Sequence, residues 1–459
     1  MNPSTILHSG ISSRFESLLG SQLILSDAAD LERYAIDGVS PQVVLCPESP
    51  EQIGVALRVA HEENWCVVPF GGGTRQQVGH VLERVDVVLS TERLNQIEAY
   101  DPGDLTIALQ AGARVRQIIG NCAGHRQLLP IEAPEGATVG GALAAAESGP
   151  LRAGFGAVRD FCIGVSFITG DGISGRGGGR VVKNVAGYDL MKLMIGSYGS
   201  LGVIVSANFK LFPLPQHTIT CICEFETLSE ATALRDWLLR SALSPIAAEI
   251  LNPPALEYLR DAEVRDPDEW APESSAVAQK ERWQMAIRFA GSDRVLTRCR
   301  RELSSSTSRE IAGSEEMDFW SRFAGFEQRV AARHRNAMIF HVNAPIAESQ
   351  AALEAARAGA IDYNFLAVMV GRATVGSFVI AFVPLAIDPP AVTQFASAAS
   401  EFRSQLSKSS SALVVRCPRE AKEHFDVWGS TPTDIELMQK LKRALDPKGI
   451  LNRGRFLVE

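Results

Sequence analysis

Pro69-Phe70-Gly71-Gly72-Gly73-Thr74 follows the short apolar run Val67-Val68 and sets three consecutive glycines at the end of an expected strand. Bare backbone of this kind lets several N–H groups approach a diphosphate with no Cβ in the way. The same residues also suit an ordinary tight turn. They are not the Gly-x-Gly-x-x-Gly of a Rossmann turn, and no Gly-Lys-Ser/Thr ending marks a phosphate loop. Around the loop, short β-branched runs alternate with helical stretches. Val43-Val44-Leu45 reads as a strand, and Ser49-Pro50-Glu51 opens a helix with Pro in its first turn and acid at its positive end. Ile53, Ala56, Leu57 and Ala60 give that helix one buried face. Val85 to Leu89 and Thr106 to Gly112 add further strands, so the region reads as an α/β or α+β domain.

Two more segments bear on the loop. Ala133-Pro134-Glu135-Gly136-Ala137-Thr138-Val139-Gly140-Gly141-Ala142 places a Thr and paired glycines at the start of a small-residue helix, which suits an anion or simply a close-packed helix start. Lys183-Asn184-Val185-Ala186-Gly187-Tyr188-Asp189-Leu190 leads to Gly196-Ser197-Tyr198-Gly199-Ser200-Leu201-Gly202-Val203-Ile204, where small residues again precede a strand.

The chain of 459 residues, 46% hydrophobic and 21% charged, is large enough for two or three domains. Disorder, collagen and small disulfide scaffolds are excluded. With 45 Lys and Arg against 53 Asp and Glu, the net charge of −8 argues against a general nucleic-acid binder. No apolar run approaches the roughly 18 residues of a membrane span, and the N-terminus lacks a basic segment followed by an apolar one. A soluble, cytoplasmic protein is expected, with any attachment to an inner membrane made through a partner. The eight cysteines form no Cys-x-x-Cys spacing, so redox chemistry would need an organic cofactor. Cys221 and Cys223 alternate along one strand and point to one face.

Phe212-Pro213-Leu214-Pro215 marks a change of character and an expected domain boundary. Downstream, strands such as Met285 to Phe289 and Ser377 to Val383 mix with alanine-rich helices. Asp261 to Glu281 and Ser304-Ser305-Ser306-Thr307-Ser308 read as solvated excursions. A helix from Asp434 to Ala444 then precedes Asp446-Pro447-Lys448-Gly449-Ile450-Leu451-Asn452-Arg453-Gly454-Arg455-Phe456. Chemistry on a small anionic substrate would ask for a cation and a base. Arg333-His334-Arg335, His341, Arg416, Arg453 and Arg455 are the candidates, although Arg333 to Arg335 reads first as a solvated helix face and His341 first as a strand residue with a local partner. No catalytic residue is assigned.

The order Gly-Gly-Gly-Thr, Ala-Thr-Val-Gly-Gly, Lys-Asn-Val-Ala-Gly-Tyr-Asp-Leu, Gly-Ser-x-Gly-x-Leu-Gly and a terminal Asp-Pro-Lys-Gly-Ile-Leu-Asn resembles the FAD-linked oxidases of the vanillyl-alcohol oxidase and p-cresol methylhydroxylase fold. Within them, Gly149 to Asp160 and Lys183 to Gly202 most resemble the FAD-binding subunits of bacterial glycolate oxidase (glycolate dehydrogenase). The resemblance spans about 38 to 215 and the C-terminal tail. It implies an α+β fold: a two-lobed FAD-binding domain of the p-cresol methylhydroxylase type with a mixed α/β cap domain. The implied division is an N-terminal segment 1–37, the FAD-binding domain 38–215, a cap or substrate domain 216–420 with loop insertions, and a tail 421–459 returning to the FAD domain.

By that resemblance, Gly71, Gly72, Gly73 and Thr74 hold the diphosphate of FAD. Thr138, Gly140 and Gly141 approach the flavin, and Gly202, Val203 and Ile204 face the adenine side. Some relatives tether FAD through a His in the first loop. Thr74 stands there, so the FAD is expected to be non-covalent. Arg453 stands where the family commonly has proline. The cap lacks the paired His–Glu motifs of the hydroxy-acid oxidising subunits, and no metal site is expected. The resemblance therefore implies a complex with a second flavin subunit and an iron–sulfur subunit, oxidising glycolate to glyoxylate. The alternatives are a self-sufficient oxidoreductase of another small 2-hydroxy acid, and a subunit whose FAD stabilises the fold without turnover.

Overall fold

The computed structural model describes residues 3–179, 189–260, 282–386 and 390–457. The Lys183 to Tyr188 motif and the Asp261 to Glu281 excursion lie outside the described residues. The chain forms two units. One comprises Met1–Glu147, Ala157–Leu214 and Ser430–Glu459, and the other Ser148–Gly156 and Pro215–Gly429. The sequence reading leaves the stretch after Glu147 with the first unit. The structure gives it to the second, where Gly154 N donates to Ile246 O at 3.2 Å and Arg372 Nη2 donates to Ser148 O at 2.6 Å. The N-terminal segment belongs to the first unit, and the returning tail starts at Ser430 rather than 421.

In the first unit, a four-stranded sheet runs in the order Ile24–Leu25, Val43–Leu45, Val87–Ser90, Val67–Phe70, with the last three parallel. Parallel strands carry apolar residues on both faces. Val43, Leu45, Val67 and Val87 accordingly pack with Ile53, Ala56, Leu57 and Ala60, while Val44, Val68 and Val88 meet Tyr34, Ile36 and Leu82. The expected helix runs Pro50–Glu63, and the Ser49 side chain accepts from Gln52 N as its N-cap. A five-stranded antiparallel sheet follows, in the order Ile97–Asp101, Thr106–Gln110, Val203–Lys210, Cys162–Ile168, Ser174–Gly178. Its apolar face, including Ile107, Leu109, Val165, Phe167 and Phe209, packs on Val115, Ile118 and Cys122 of helix Val115–Gly124.

The second unit is built on an eight-stranded antiparallel sheet, in the order Thr307–Ile311, Thr218–Phe225, Trp283–Ala290, Ala247–Leu251, Phe365–Arg372, Ser377–Pro384, Met338–Asn343, Ser411–Arg416. Alternate residues, including Cys221, Cys223, Met285, Ile287, Phe340, Met369 and Phe382, share one core with residues of helices Leu228–Arg240, Asp293–Leu303, Ser349–Ile361 and Val392–Ser404. Cys221 and Cys223 thus occupy one strand face, as the alternation predicts. At the other parity, Thr220 Oγ1 donates to buried Glu316 at 2.7 Å and accepts from Trp320 Nε1 at 2.8 Å.

Two expectations need correction here. Thr307 and Ser308 are not solvated coil, because Thr307–Ile311 pairs with Thr218–Phe225. Arg333 is not on a solvated face. It ends helix Phe326–Arg333 on the buried stripe of Phe326 and Val330, with its guanidinium 5.0 Å from the Tyr258 ring centroid. Burial, with the Arg333 charge beside it, pulls His334 down from 6.5 to about 4. The unfolded chain therefore takes up this proton first as the pH falls, and stability held above about 6.5 is lost towards pH 4. Chemical denaturation between those values should show a steeper pH slope for the native chain than for His334→Gln. Equal slopes would refute it.

Candidate active site

The glycine loop leaves the C-terminal end of strand Val67–Phe70. It borders a cleft, partly open to solvent, whose lining includes Gly71 to Gln76, Gly140, Gly141, Tyr198, Gly202 to Ile204, Arg455 and Phe456. Nine of the ten residues singled out in the sequence line this one cleft. Thr138 does not. It sits behind the loop, where its Oγ1 accepts from Gly141 N at 3.3 Å as the N-cap of helix Val139–Ala144. At Gly72 a Cβ would lie 1.8 Å from the carbonyl oxygen of Gly136, and at Gly71 it would lie 2.3 Å from Thr138 Oγ1. Two of the glycines are thus required by the protein's own packing.

Three anchors hold the loop and the Gly136 turn packed against it. Arg114 donates to Gly136 O and to Glu92. Arg75, directly after Thr74, makes a two-pronged pair with Glu147 at 2.6 and 2.8 Å; with both side chains largely buried, the Arg75 charge is engaged within the protein. The third anchor is the tail. Val67 N donates to Ile450 O at 2.8 Å and Asn452 N to Val67 O at 2.9 Å, which seats Leu451 beside the strand that feeds the loop. Arg455, 3% exposed, then donates to Val78 O at 2.7 Å, to Gln76 Oε1 at 2.9 Å and to Gln76 O. Burial pushes its guanidinium down to about 10, which leaves it charged at neutral pH.

Behind the tail, buried Lys442 donates to Ser200 O at 2.9 Å, Leu451 O at 3.0 Å and Asp446 Oδ2 at 2.6 Å. Asp446 accepts from Ile450 N and Leu451 N at 3.0 and 2.8 Å. The small-residue run ending in Gly202 and the tail are thereby fixed to one ion pair.

Of the candidate cations and bases, Arg455 alone lines the cleft. Arg453 folds back on Gly449 O at 3.0 Å and reaches Asn64 Oδ1 at 2.7 Å. His341 sits on a strand with Glu327 2.8 Å away, and Arg416 closes the strand Ser411–Arg416. Arg333, His334 and Arg335 also belong to the second unit. Sequence reasoning passed over Tyr198 and Phe456, whose rings stack at 5.7 Å and 27° in the cleft wall. The small residues around Tyr198 were the available signal. Among the described residues, no group of three or more His, Cys, Asp or Glu could hold a metal ion, and no helix is long and apolar enough to cross a membrane.

A cleft with a bare-backbone loop at one wall and stacked rings at another fits a ligand that has both phosphate and planar groups. Residues 41–174 match the family model described as the FAD binding domain, and residues 214–402 with 422–456 match that of the FAD linked oxidases, C-terminal domain. The chain is 28% identical over 235 residues to D-lactate dehydrogenase (cytochrome) 1, mitochondrial, of Saccharomyces cerevisiae, across 50% of this chain and 40% of that protein. It is 40% identical over 144 residues to glycolate oxidase subunit GlcE of Escherichia coli, across 31% of this chain and 41% of GlcE. Each alignment spans less than half of the relative. The structure of p-cresol methylhydroxylase with substrate bound superposes with a TM-score of 0.74 at 16% identity, over 98% of this chain and 96% of that one. The fold is therefore the two-domain p-cresol methylhydroxylase fold.

Proposed function

Because the chain belongs to the FAD-linked oxidases, with FAD as its cofactor, we propose that it is an oxidoreductase of small 2-hydroxy acids and serves as the FAD-binding subunit of a complex oxidising glycolate to glyoxylate. The observation that carries this reading is the convergence of Gly71 to Thr74, Gly140, Gly141 and Gly202 to Ile204 on one cleft. Bound FAD supplies the hydride acceptor. The backbone of Gly71, Gly72 and Gly73 and the Thr74 hydroxyl would hold the diphosphate. Gly140 and Gly141 offer bare backbone to the flavin, with Thr138 fixing their turn, and Gly202, Val203 and Ile204 serve the adenine side. With Arg75 engaged by Glu147, neutral N–H donors carry most of the anion recognition. The 40% identity to GlcE, a glycolate oxidase subunit, supports glycolate as substrate and a multi-subunit setting, in which the resemblance implies a second flavin subunit and an iron–sulfur subunit as partners. The match to the yeast enzyme supports a second reading, a self-sufficient D-lactate dehydrogenase.

The purified full chain should show flavin absorbance that passes the filter after denaturation, since Thr74 offers no ring nitrogen for a tether. Colour retained by the denatured chain would overturn non-covalent binding. Under anaerobic conditions, glycolate should bleach the flavin when the partner subunits are present. Bleaching of the chain alone by D-lactate would establish the second reading. A flavin that no hydroxy acid bleaches, even in the complex, would make its role structural. A chain that takes up no FAD would remove the whole reading.

A further inference from the structure

We propose that Tyr198 and Phe456 form a rigid aromatic platform for the adenine of FAD. The inference rests on the assignment of the cleft to FAD. Both residues line the cleft that the glycine loop borders, and their rings stack on each other. Tyr198 holds φ at +51°, the left-handed region that a residue with a Cβ enters at a cost. Its neighbours Gly196 and Gly199 take positive φ as glycines, at +83° and +72°. Glycine would relieve position 198 in the same way, yet the chain carries a large ring there. Strain of this kind concentrates where a side chain must be presented to a ligand. The conformation is over-determined: Tyr198 N donates to Ala144 O at 2.8 Å, and Tyr198 O accepts from Asn452 Nδ2 at 3.2 Å.

Phe456 is placed just as firmly, because it follows the buried Arg455 whose donors are fixed to Gln76, Val78 and Asn452. A flat purine gains from stacking on an aromatic face already held in place, since no rotamer freedom is lost on binding. Of the two planar groups of FAD, adenine is the one assigned here. Tyr198 belongs to the run that continues through Gly202, Val203 and Ile204, all in the cleft wall. Gly140 and Gly141, on another segment, are left for the isoalloxazine.

The test uses the full chain stripped of flavin and titrated with ADP, which carries adenine and diphosphate, and with FMN, which carries the isoalloxazine and one phosphate. Tyr198→Gly and Phe456→Ala should each weaken ADP binding about ten-fold and change FMN binding by less than about two-fold. Tyr198→Phe should bind ADP as the native chain does. Unchanged ADP affinity in both variants, or weakened FMN with ADP intact, would overturn the platform. Thr74→Asp separates the two levels of the argument. If it loses ADP and FAD while the ring variants do not, the cleft assignment stands and the platform falls; if it retains both ligands, the assignment itself falls.

Discussion

Lys442→Met should destabilise the first unit by about 3–5 kcal/mol, the cost of breaking a buried ion pair from one side. The pair stands four residues apart on and just past helix Ile435–Leu445, and such a pair on a surface would contribute less than about 1 kcal/mol. Burial decides between these magnitudes. The Lys442 side chain is 3% exposed and that of Asp446 is 0% exposed, and Lys442 is the buried side chain of its helix. Methionine retains the stem but strips donors from Ser200 O, Leu451 O and the carboxylate at once. The Asp446 carboxylate keeps two backbone N–H partners and stays in a dry site with its charge unmatched. Urea unfolding followed by a probe in the first unit measures the loss, and a cost below about 1 kcal/mol would refute it. The double variant Lys442→Met with Asp446→Leu should recover much of the stability, since removing both charges avoids the orphaned one.

Thr74→Asp should raise the Kd for FAD by on the order of 100-fold or more. A unit negative charge about 4–5 Å from a phosphate, at an effective dielectric of about 20, costs roughly 3–4 kcal/mol. Thr74→Asn has nearly the same shape as the Asp variant without its charge and should stay within about three-fold of the native chain, so the ratio of the two isolates electrostatics. Equal affinities would place the diphosphate elsewhere. Position 74 is the right one to charge because it lines the cleft. Gly72→Asp would drive a Cβ to 1.8 Å from Gly136 O and wreck the loop whether or not FAD binds there.

Local chemistry made part of this legible from residues alone. The Ser49 cap, the apolar runs that became Val43–Leu45, Val67–Phe70 and Val203–Lys210, and the alternation around Cys221 are decided within a few residues. The cleft-lining glycines stood out because paired and tripled glycines are costly without a use. What escaped was set by crossings between distant stretches. Lys442 and Asp446 have the spacing of a solvated pair, and only the partner Ser200, 242 residues away, shows otherwise. Tyr198 was hidden among small residues whose backbone drew the attention. Arg333 reads as a surface charge until Tyr258 comes to lie against it.

The tail's hold on the glycine loop also imposes an order in time. Gln76 and the Arg455 that braces it are 379 residues apart. At about 5–20 residues per second, a ribosome takes roughly 20–75 s to get from one to the other. Throughout that interval the nascent chain carries a glycine loop with at least one of its three anchors still unsynthesised. On the proposed binding site, cofactor loading would belong to the period after the tail has emerged, and a chain stalled before Arg455 would reach the cell's quality control as a colourless apoprotein.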